Sequence, residues 1–394
     1  MKIIHFIPKF TITQNFTVIG GAANSLYNLS KQQLKNNEIN IVSFFPLGVQ
    51  ENIEELNNIK FIPLKMVSKQ NSKLFGFEFI IRSIFFSYKH RKKYNIFHGH
   101  SGHIDYLIPF TLISKILSTP FIYSLSCPIV DDSEVTRFPG RMSLLKFLSK
   151  YVDEFIAISI NVADSLSKIN VRENKITIIP PAIDIEKYSF IRDKNKYRKL
   201  FNLRDDDPVF LFVGSIAPTK NLETVIKAFS HVNNKYPNAK LVITTELNLL
   251  KFSSRAAYIK SIIKEFYLDK SIIEIGIIDN MNELMGSADV LVAPFRSTDG
   301  PSDYFLPVLE CLSIGRPVVV SPVGGMKEVI NEKVGILVSP ENAQELADAM
   351  IKLIINNDDN KRGLEGNKII REKFNPVNIN LLVNQVYLEF MNNE

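Results

Sequence analysis

Short runs of β-branched and aromatic residues alternate along this chain with stretches of about 10–15 residues that carry helical periodicity. The first series of candidate strands is 2–7 (KIIHFI), 40–45 (NIVSFF), 95–100 (NIFHGH), 120–125 (PFIYSL), 154–159 (EFIAIS) and 175–180 (KITIIP). A second series covers 208–214, 239–245, 271–276, 289–294, 316–321 and 334–339. These runs are nearly continuous in apolar residues, the mark of parallel strands buried on both faces. Strand and helix in alternation make βα units, so the expected class is α/β with two doubly wound sheets. The polar segment 180–199, which opens with Pro180-Pro181, reads as the linker between a first domain over 1–185 and a second over 200–375. A last helical stretch, 376–394, follows Pro376 and could cross back onto the first domain. In such sheets ligands bind at the carboxyl ends of the strands, and a central cleft between two of them is the natural site.

At 394 residues, with 45% hydrophobic and 22% charged, the chain has enough apolar material for two cores, which excludes a disordered or collagen-like class. Cys127 and Cys311 are too far apart for a disulfide framework or a zinc site of usual spacing. The apolar run at the N-terminus ends at Pro8, short of a signal peptide's core. No stretch approaches the roughly 20 apolar residues that span a bilayer. The expected location is cytoplasmic, with the inner face of the membrane open to it. Nine Lys and Arg lie between Lys60 and Lys93 against one acid, Glu78, so this short region exceeds the whole chain's net charge of +6. Within it, segment 73–94 mixes Phe75, Phe79, Ile80 and Phe86 with a basic end. That mixture suits an anionic membrane surface; a core helix with a solvated basic cap is the plain alternative. Nucleic acid is not an expected partner, because nothing matches a groove-reading fold. Oligomeric state leaves no trace in the pattern.

Gly20-Gly21-Ala22 precedes a helical pattern, where a glycine lets backbone amides approach an anion at a helix N-terminus; a simple turn and cap would look the same. The arrangement recurs after 208–214, where Ser215, Lys220 and Asn221 lead into a helix and Lys220 could pair with a phosphate, or merely be solvated. Glu310 sits among Val308, Leu309, Cys311 and Leu312, so its carboxylate needs a partner or a ligand hydroxyl unless it points to solvent. His98, His100 and His103 cluster near a strand end, but no carboxylate or cysteine accompanies them, and no metal is assigned.

The order VGS-x4-KN, then ADVLVAP, then LPVLECLSIGRPVVVSPVGG-x2-EVI resembles the second domain of family 4 glycosyltransferases, which have the two-domain GT-B fold. GGA near the N-terminus, NIFHGHS, YVDEFIAIS and KITIIPPAID are similar to the same family's first domain, so the likeness spans nearly the whole chain. The resemblance implies a metal-independent hexosyl transfer, with retention, from a nucleotide-diphosphate sugar to a cell-envelope glycan or lipid-linked acceptor. UDP is the expected nucleotide, a substrate and not a cofactor. It further implies that Glu310 binds the ribose, Lys220 neutralises the diphosphate, amides near Leu306 and Val308 hold phosphate oxygens, and Gly21 faces them. His100 would hydrogen-bond sugar or acceptor. The chain departs from the family at three places. Ser302 stands where the motif's first glutamate falls, with Asp303 adjacent, and Asp303 or Asp299 could compensate. Ser215 stands in place of an arginine, and Ser126 in place of a frequent histidine. These departures allow a divergent donor sugar or lost activity, the latter giving a non-catalytic, nucleotide-sugar-binding partner of an active transferase; another GT-B enzyme, such as an epimerase acting on the donor itself, is a further alternative.

Overall fold

Ile3, Ile4, Phe6 and Ile7 are buried and place β1 (Lys2–Lys9) in the middle of an eight-stranded sheet. The computed structural model describes residues 1–9, 11–12, 18–19, 21–45, 55–56, 58–65, 73–130, 140–245, 247, 254–276, 278–297, 302–355 and 359–391. After β1 come the short antiparallel pair β2 (Thr11–Ile12) and β3 (Val18–Ile19), then α1 (Gly21–Gln33), β4 (Glu38–Phe45), β5 (Glu55–Leu56), β6 (Ile59–Lys65) and α2 (Lys73–Lys89). The series continues with β7 (Ile96–Ser101), α3 (Leu107–Leu117), β8 (Phe121–Leu125), α4 (Arg141–Leu148), β9 (Glu154–Ala157), α5 (Ile160–Ser165) and β10 (Ile176–Ile178). The sheet order is β10-β9-β8-β7-β1-β4-β6-β5, parallel except for β5. Chain direction along the sheet reverses at β1, and right-handed crossovers therefore put α1 on one face and α2, α3 and α4 on the other. These elements belong to a first unit, Met1–Ile183 with Gly300–Tyr304 and Phe374–Glu394. The C-terminal helix Pro376–Met391 packs its Ile379, Val383 and Tyr387 against Ala23 and Leu26 of α1.

Strand β6 has no counterpart among the expected strands. Pro63 and the flanking Lys60 and Lys65 interrupt its apolar pattern. It tolerates the proline because the ladder with β5 covers only Ile59 and Lys60, so at Pro63 the missing N–H falls beyond that pairing. In β7, a Cβ at Gly99 would lie 2.5 Å from the Phe110 ring, so glycine is what lets α3 lie this close to the strand.

The second unit, Asp184–Asp299 with Phe305–Lys373, carries a six-stranded parallel sheet in the order β13-β12-β11-β14-β15-β16. Its strands are β11 (Val209–Phe212), β12 (Lys240–Ile243), β13 (Ile272–Glu274), β14 (Val290–Ala293), β15 (Val318–Val320) and β16 (Gly335–Leu337). The helices are α6 (Asn195–Arg198), α7 (Leu222–Lys235), α8 (Ser254–Glu265), α9 (Met281–Ser287), α10 (Leu306–Ile314), α11 (Met326–Val329), α12 (Ala343–Ile355) and α13 (Asp359–Lys373). Helix α7 buries Leu222, Val225, Ile226, Phe229 and Val232, the spacing of one helix face, each side chain contributing about 1.5–3 kcal/mol. Helix α10 is buried almost all round and ends at Gly315, whose φ of 91° is the left-handed cap that a glycine adopts without strain. Among the described residues, no helix is long and apolar enough to cross a membrane.

Candidate active site

In the second unit the switch in strand order lies between β11 and β14, and their carboxyl ends are where such a sheet binds ligands. Past β11 the chain turns through Asn221, which is fully buried in a left-handed conformation (φ 60°). Its side-chain amide donates to the carbonyls of Pro294 and Pro340, and its Oδ1 accepts from Thr224 Oγ1 at 2.7 Å. This locked turn sets Lys220 beside the end of β14, with Nζ 4.1 Å from the centre of the Phe295 ring and 5.3 Å from that of Phe305. The two rings are themselves 4.3 Å apart. Arg296, which the sequence reading passed over, braces the turn by donating to Glu223 at 2.7 Å, to Glu341 and to the Pro218 carbonyl. Ser215 is exposed, and its hydroxyl accepts from the Ala217 amide at 3.4 Å.

Glu310 does not point to solvent: the residue is 8% exposed on α10. Burial raises its carboxyl pKa to about 7, opposed by the nearby Lys187 ammonium and by a hydrogen bond from the Tyr188 hydroxyl. Both partners come from the segment read as linker, so that segment completes the carboxylate's surroundings. At the start of α10, Phe305 is extended, Pro307 follows Leu306, and the amide of Val308 donates to the Phe305 carbonyl at 2.8 Å. The Val308 amide, expected to hold a phosphate oxygen, thus has a partner within the first turn.

In the first unit, Gly21, Ser25, His100, Ser101, Ser126 and Ser302 are among the residues lining a cavity, which leaves about 60 Å³ for the centres of water-sized molecules. Gly21 is the first residue of α1; Gly20 and Asp299 lie outside the described residues. Ser126 Oγ donates to the Ser101 carbonyl at 3.2 Å. Asp303 is fully buried, with Oδ2 accepting from Ser159 Oγ at 2.6 Å and Oδ1 from Asn161 Nδ2 at 2.8 Å. Its amide donates to the Ser126 carbonyl at 2.7 Å. The carboxylate is thus a clasp that holds its neighbour Ser302 at the cavity wall, and its oxygens are committed to α5 and the residue before it.

His100 meets His5 rather than His103. His5 Nδ1 and His100 Nε2 are 2.9 Å apart, His5 Nε2 is 2.9 Å from Gln33 Oε1, and His98 lies between Tyr387 OH (2.6 Å) and Ser124 Oγ (2.7 Å). The parallel register pairs His5 with His98, and His100 is two residues further along the same side of β7. His103 is exposed. Ligand atoms of His5, His98 and His100 lie within 4.8 Å of one another, but the hydrogen bonds already engage five of the six ring nitrogens. Burial lowers the His5 pKa to about 4 and those of His98 and His100 well below the ordinary value, so all three are neutral at pH 7.

Two family models divide the chain. Residues 19–187 match glycosyltransferase family 4, and residues 193–368 match glycosyl transferases group 1. The chain belongs to the family 4 glycosyltransferases. This glycosyltransferase is 25% identical over 349 residues to glycosyltransferase MJ1607 of Methanocaldococcus jannaschii, covering 84% of each chain. It is 23% identical over 279 residues to the UDP-Gal:alpha-D-GlcNAc-diphosphoundecaprenol alpha-1,3-galactosyltransferase of Escherichia coli, covering 67% of each. Its fold is GT-B. The crystal structure of Anabaena Alr3699/HepE in complex with UDP and glucose matches it with a TM-score of 0.78 at 18% identity, over 98% of this chain and 99% of that one. Sucrose-phosphate synthase from Thermosynechococcus elongatus matches with a TM-score of 0.81 at 18% identity over the full length of both.

Proposed function

We propose that this glycosyltransferase moves a hexose, with retention and without a metal ion, from a UDP-sugar to a lipid-linked or growing cell-envelope glycan. The observation that carries the donor half is Glu310: a buried carboxylate with a pKa near 7 on an otherwise apolar helix, where paired ribose hydroxyls would favour its ionised form. Lys220 would meet the diphosphate and the Leu306 peptide group a phosphate oxygen, while the first unit's cavity, with Gly21, His100 and Ser302 on its wall, would seat the sugar or acceptor hydroxyl. The Escherichia coli relative, named for UDP-galactose and a diphosphoundecaprenol acceptor, and the UDP complexes of HepE support the choice of nucleotide and acceptor class. Ser126, Ser215 and Ser302 keep a second reading in play, a nucleotide-sugar-binding partner without turnover. Offering the purified chain a panel of UDP, GDP and ADP sugars separates the two. Release of UDP, by transfer or slow hydrolysis, is the expected outcome; UDP binding with no turnover of any donor gives the partner reading, and no nucleotide binding at all sinks both.

The same reading places the chain at the inner face of the cell membrane. The structure revises which residues would touch it. Phe86 is half-buried, with its ring 6.0 Å from Phe6 and 4.4 Å from His90, whereas Phe85 and Tyr88 are 72% and 62% exposed beside Lys89, Arg91, Lys92 and Lys93. The side chains of Phe75, Phe79 and Ile80 lie outside the described residues. On α4, which packs against α3 as α2 does, Phe147 is exposed with Lys146. Exposed rings among cations, with Arg91 4.1 Å from the centre of the Tyr88 ring, favour an interface of anionic headgroups, at about 1 kcal/mol per cation. Replacing Arg91, Lys92 and Lys93 by glutamine is expected to weaken sedimentation with phosphatidylglycerol vesicles about 100-fold, and 0.5 M salt to mimic it (a concentration on the order of that which shrinks screening to a few ångströms). Vesicle binding indifferent to both changes would refute the docking surface.

A further inference from the structure

Six buried or half-buried side chains in the first unit form one continuous hydrogen-bonded line: His100, His5, Gln33, Tyr387, His98 and Ser124. They come from β7, β1, α1, the C-terminal helix, β7 again and β8, and both ends of the line, His100 and Ser124, are on the wall of the same cavity. The donors and acceptors available to each group decide which way the line runs. Gln33 Oε1 only accepts, so His5 Nε2 carries a hydrogen and His5 Nδ1 is a lone pair. His100 Nε2 must then be protonated to meet it, which leaves His100 Nδ1 as an acceptor. In the other direction Gln33 Nε2 donates to the Tyr387 oxygen at 3.3 Å. The Tyr387 hydroxyl, fully buried, would strand its own hydrogen unless it gave it to His98 Nδ1. His98 Nε2 then donates to Ser124 Oγ, and the Ser124 hydrogen is released towards the cavity.

We infer that Gln33 and Tyr387 are positioning residues: Gln33 through His5 holds His100 in the neutral Nε2–H tautomer, and Gln33 with Tyr387 through His98 orients Ser124, so that the wall presents one acceptor, His100 Nδ1, and one donor, Ser124 O–H, to a substrate hydroxyl. This rests on the reading of the cavity as the seat of a sugar or acceptor hydroxyl. A hydroxyl both gives and takes a hydrogen bond, so such a wall selects it over groups that only accept or only donate. Burial keeps the imidazoles neutral, which the circuit requires.

Nitrogen-15 histidine labelling of the full chain tests the circuit without any ligand. At pH 7 the long-range proton–nitrogen spectrum should show His5, His98 and His100 all as neutral Nε2–H tautomers. Gln33→Glu, read above the pH at which its buried carboxyl ionises, keeps the shape but has no hydrogen to donate. Tyr387 then gives its hydrogen to the new carboxylate, and His98 switches to the Nδ1–H form and takes the Ser124 hydrogen for itself. His5 and His100 keep their tautomers. In turnover, Gln33→Glu should raise the KM for acceptor about 10-fold, the loss of one hydrogen bond, with UDP affinity unchanged; Tyr387→Phe, which cuts the same arm, should reproduce it. Finding His100 as the Nδ1–H tautomer, or His98 unmoved in Gln33→Glu once the new carboxyl is ionised, overturns the circuit. Tautomers as expected together with a His100 signal indifferent to saturating donor and acceptor would uphold the circuit and remove the cavity's assigned role.

Discussion

Replacing Glu310 by glutamine is expected to weaken UDP binding about 100-fold, the loss of charge-assisted hydrogen bonds to two hydroxyls, while making the unliganded protein more stable. The two effects share one cause. Burial lifts the carboxyl from 4.5 to about 7, so between those values the folded state holds a proton that the unfolded state has released. Stability therefore falls as pH rises from 4.5 to about 7 and levels off above. A shift of that size corresponds to about 3 kcal/mol, which glutamine, with no charge to bury, should recover above pH 7. Binding has the opposite slope. If ribose hydroxyls donate to the ionised form, UDP drives the proton off. Affinity should then rise by up to about tenfold per pH unit below 7 and flatten above it. Calorimetry in buffers of different ionisation heat would register the released proton. A Glu310→Gln protein that binds UDP as well as its parent would remove the basis for placing the nucleotide here.

Glu310 could be singled out from sequence because a carboxylate on an otherwise apolar helix is an anomaly that periodicity exposes. Its partner Tyr188 could not. That residue lies in a stretch whose prolines and charges read as linker, and nothing local says that such a stretch folds back to α10. The strands of both sheets were visible for the reason they are stable: parallel strands buried on both faces must be apolar throughout, as 209–212 and 290–293 are. β6 escaped because Pro63 and two lysines look like a loop until the ladder with β4 is in place. By sequence alone His5 is one polar residue in an apolar strand, with nothing to single it out. Its meaning depends on β1 lying next to β7 in register, a long-range pairing that no spacing within either strand encodes. Asp303 shows the limit from the other side. A carboxylate next to a missing glutamate invites a catalytic reading, and no spacing shows that Ser159 and Asn161, 144 and 142 residues away in sequence, hydrogen-bond its two oxygens.

Replacing Lys220 by alanine is expected to lower kcat/KM by about 10²–10³-fold, the range for removing one preorganised donor from developing charge. Cleavage of the sugar–phosphate bond puts negative charge on the diphosphate. An ammonium already held in place stabilises that charge without reorganising. Asn221 holds it by closing the turn onto the Pro294 carbonyl, and the Phe295 and Phe305 rings hold it by offering their faces to the cation. The resemblance implies an arginine where Ser215 stands, so on the proposed donor site more of the diphosphate's charge would fall to Lys220 and the loss should lie towards the upper end of that range. Because the charge grows as the bond breaks, the decrease should appear chiefly in kcat, with KM for the donor changed less. Phe295→Leu leaves the ammonium but removes the nearer ring. It should cost about 1 kcal/mol, a few-fold in rate, and this graded pair distinguishes a lysine that touches the leaving group from one that merely packs. A Lys220→Ala protein that turns over UDP-sugar at the parental rate would show that the leaving-group charge is met elsewhere.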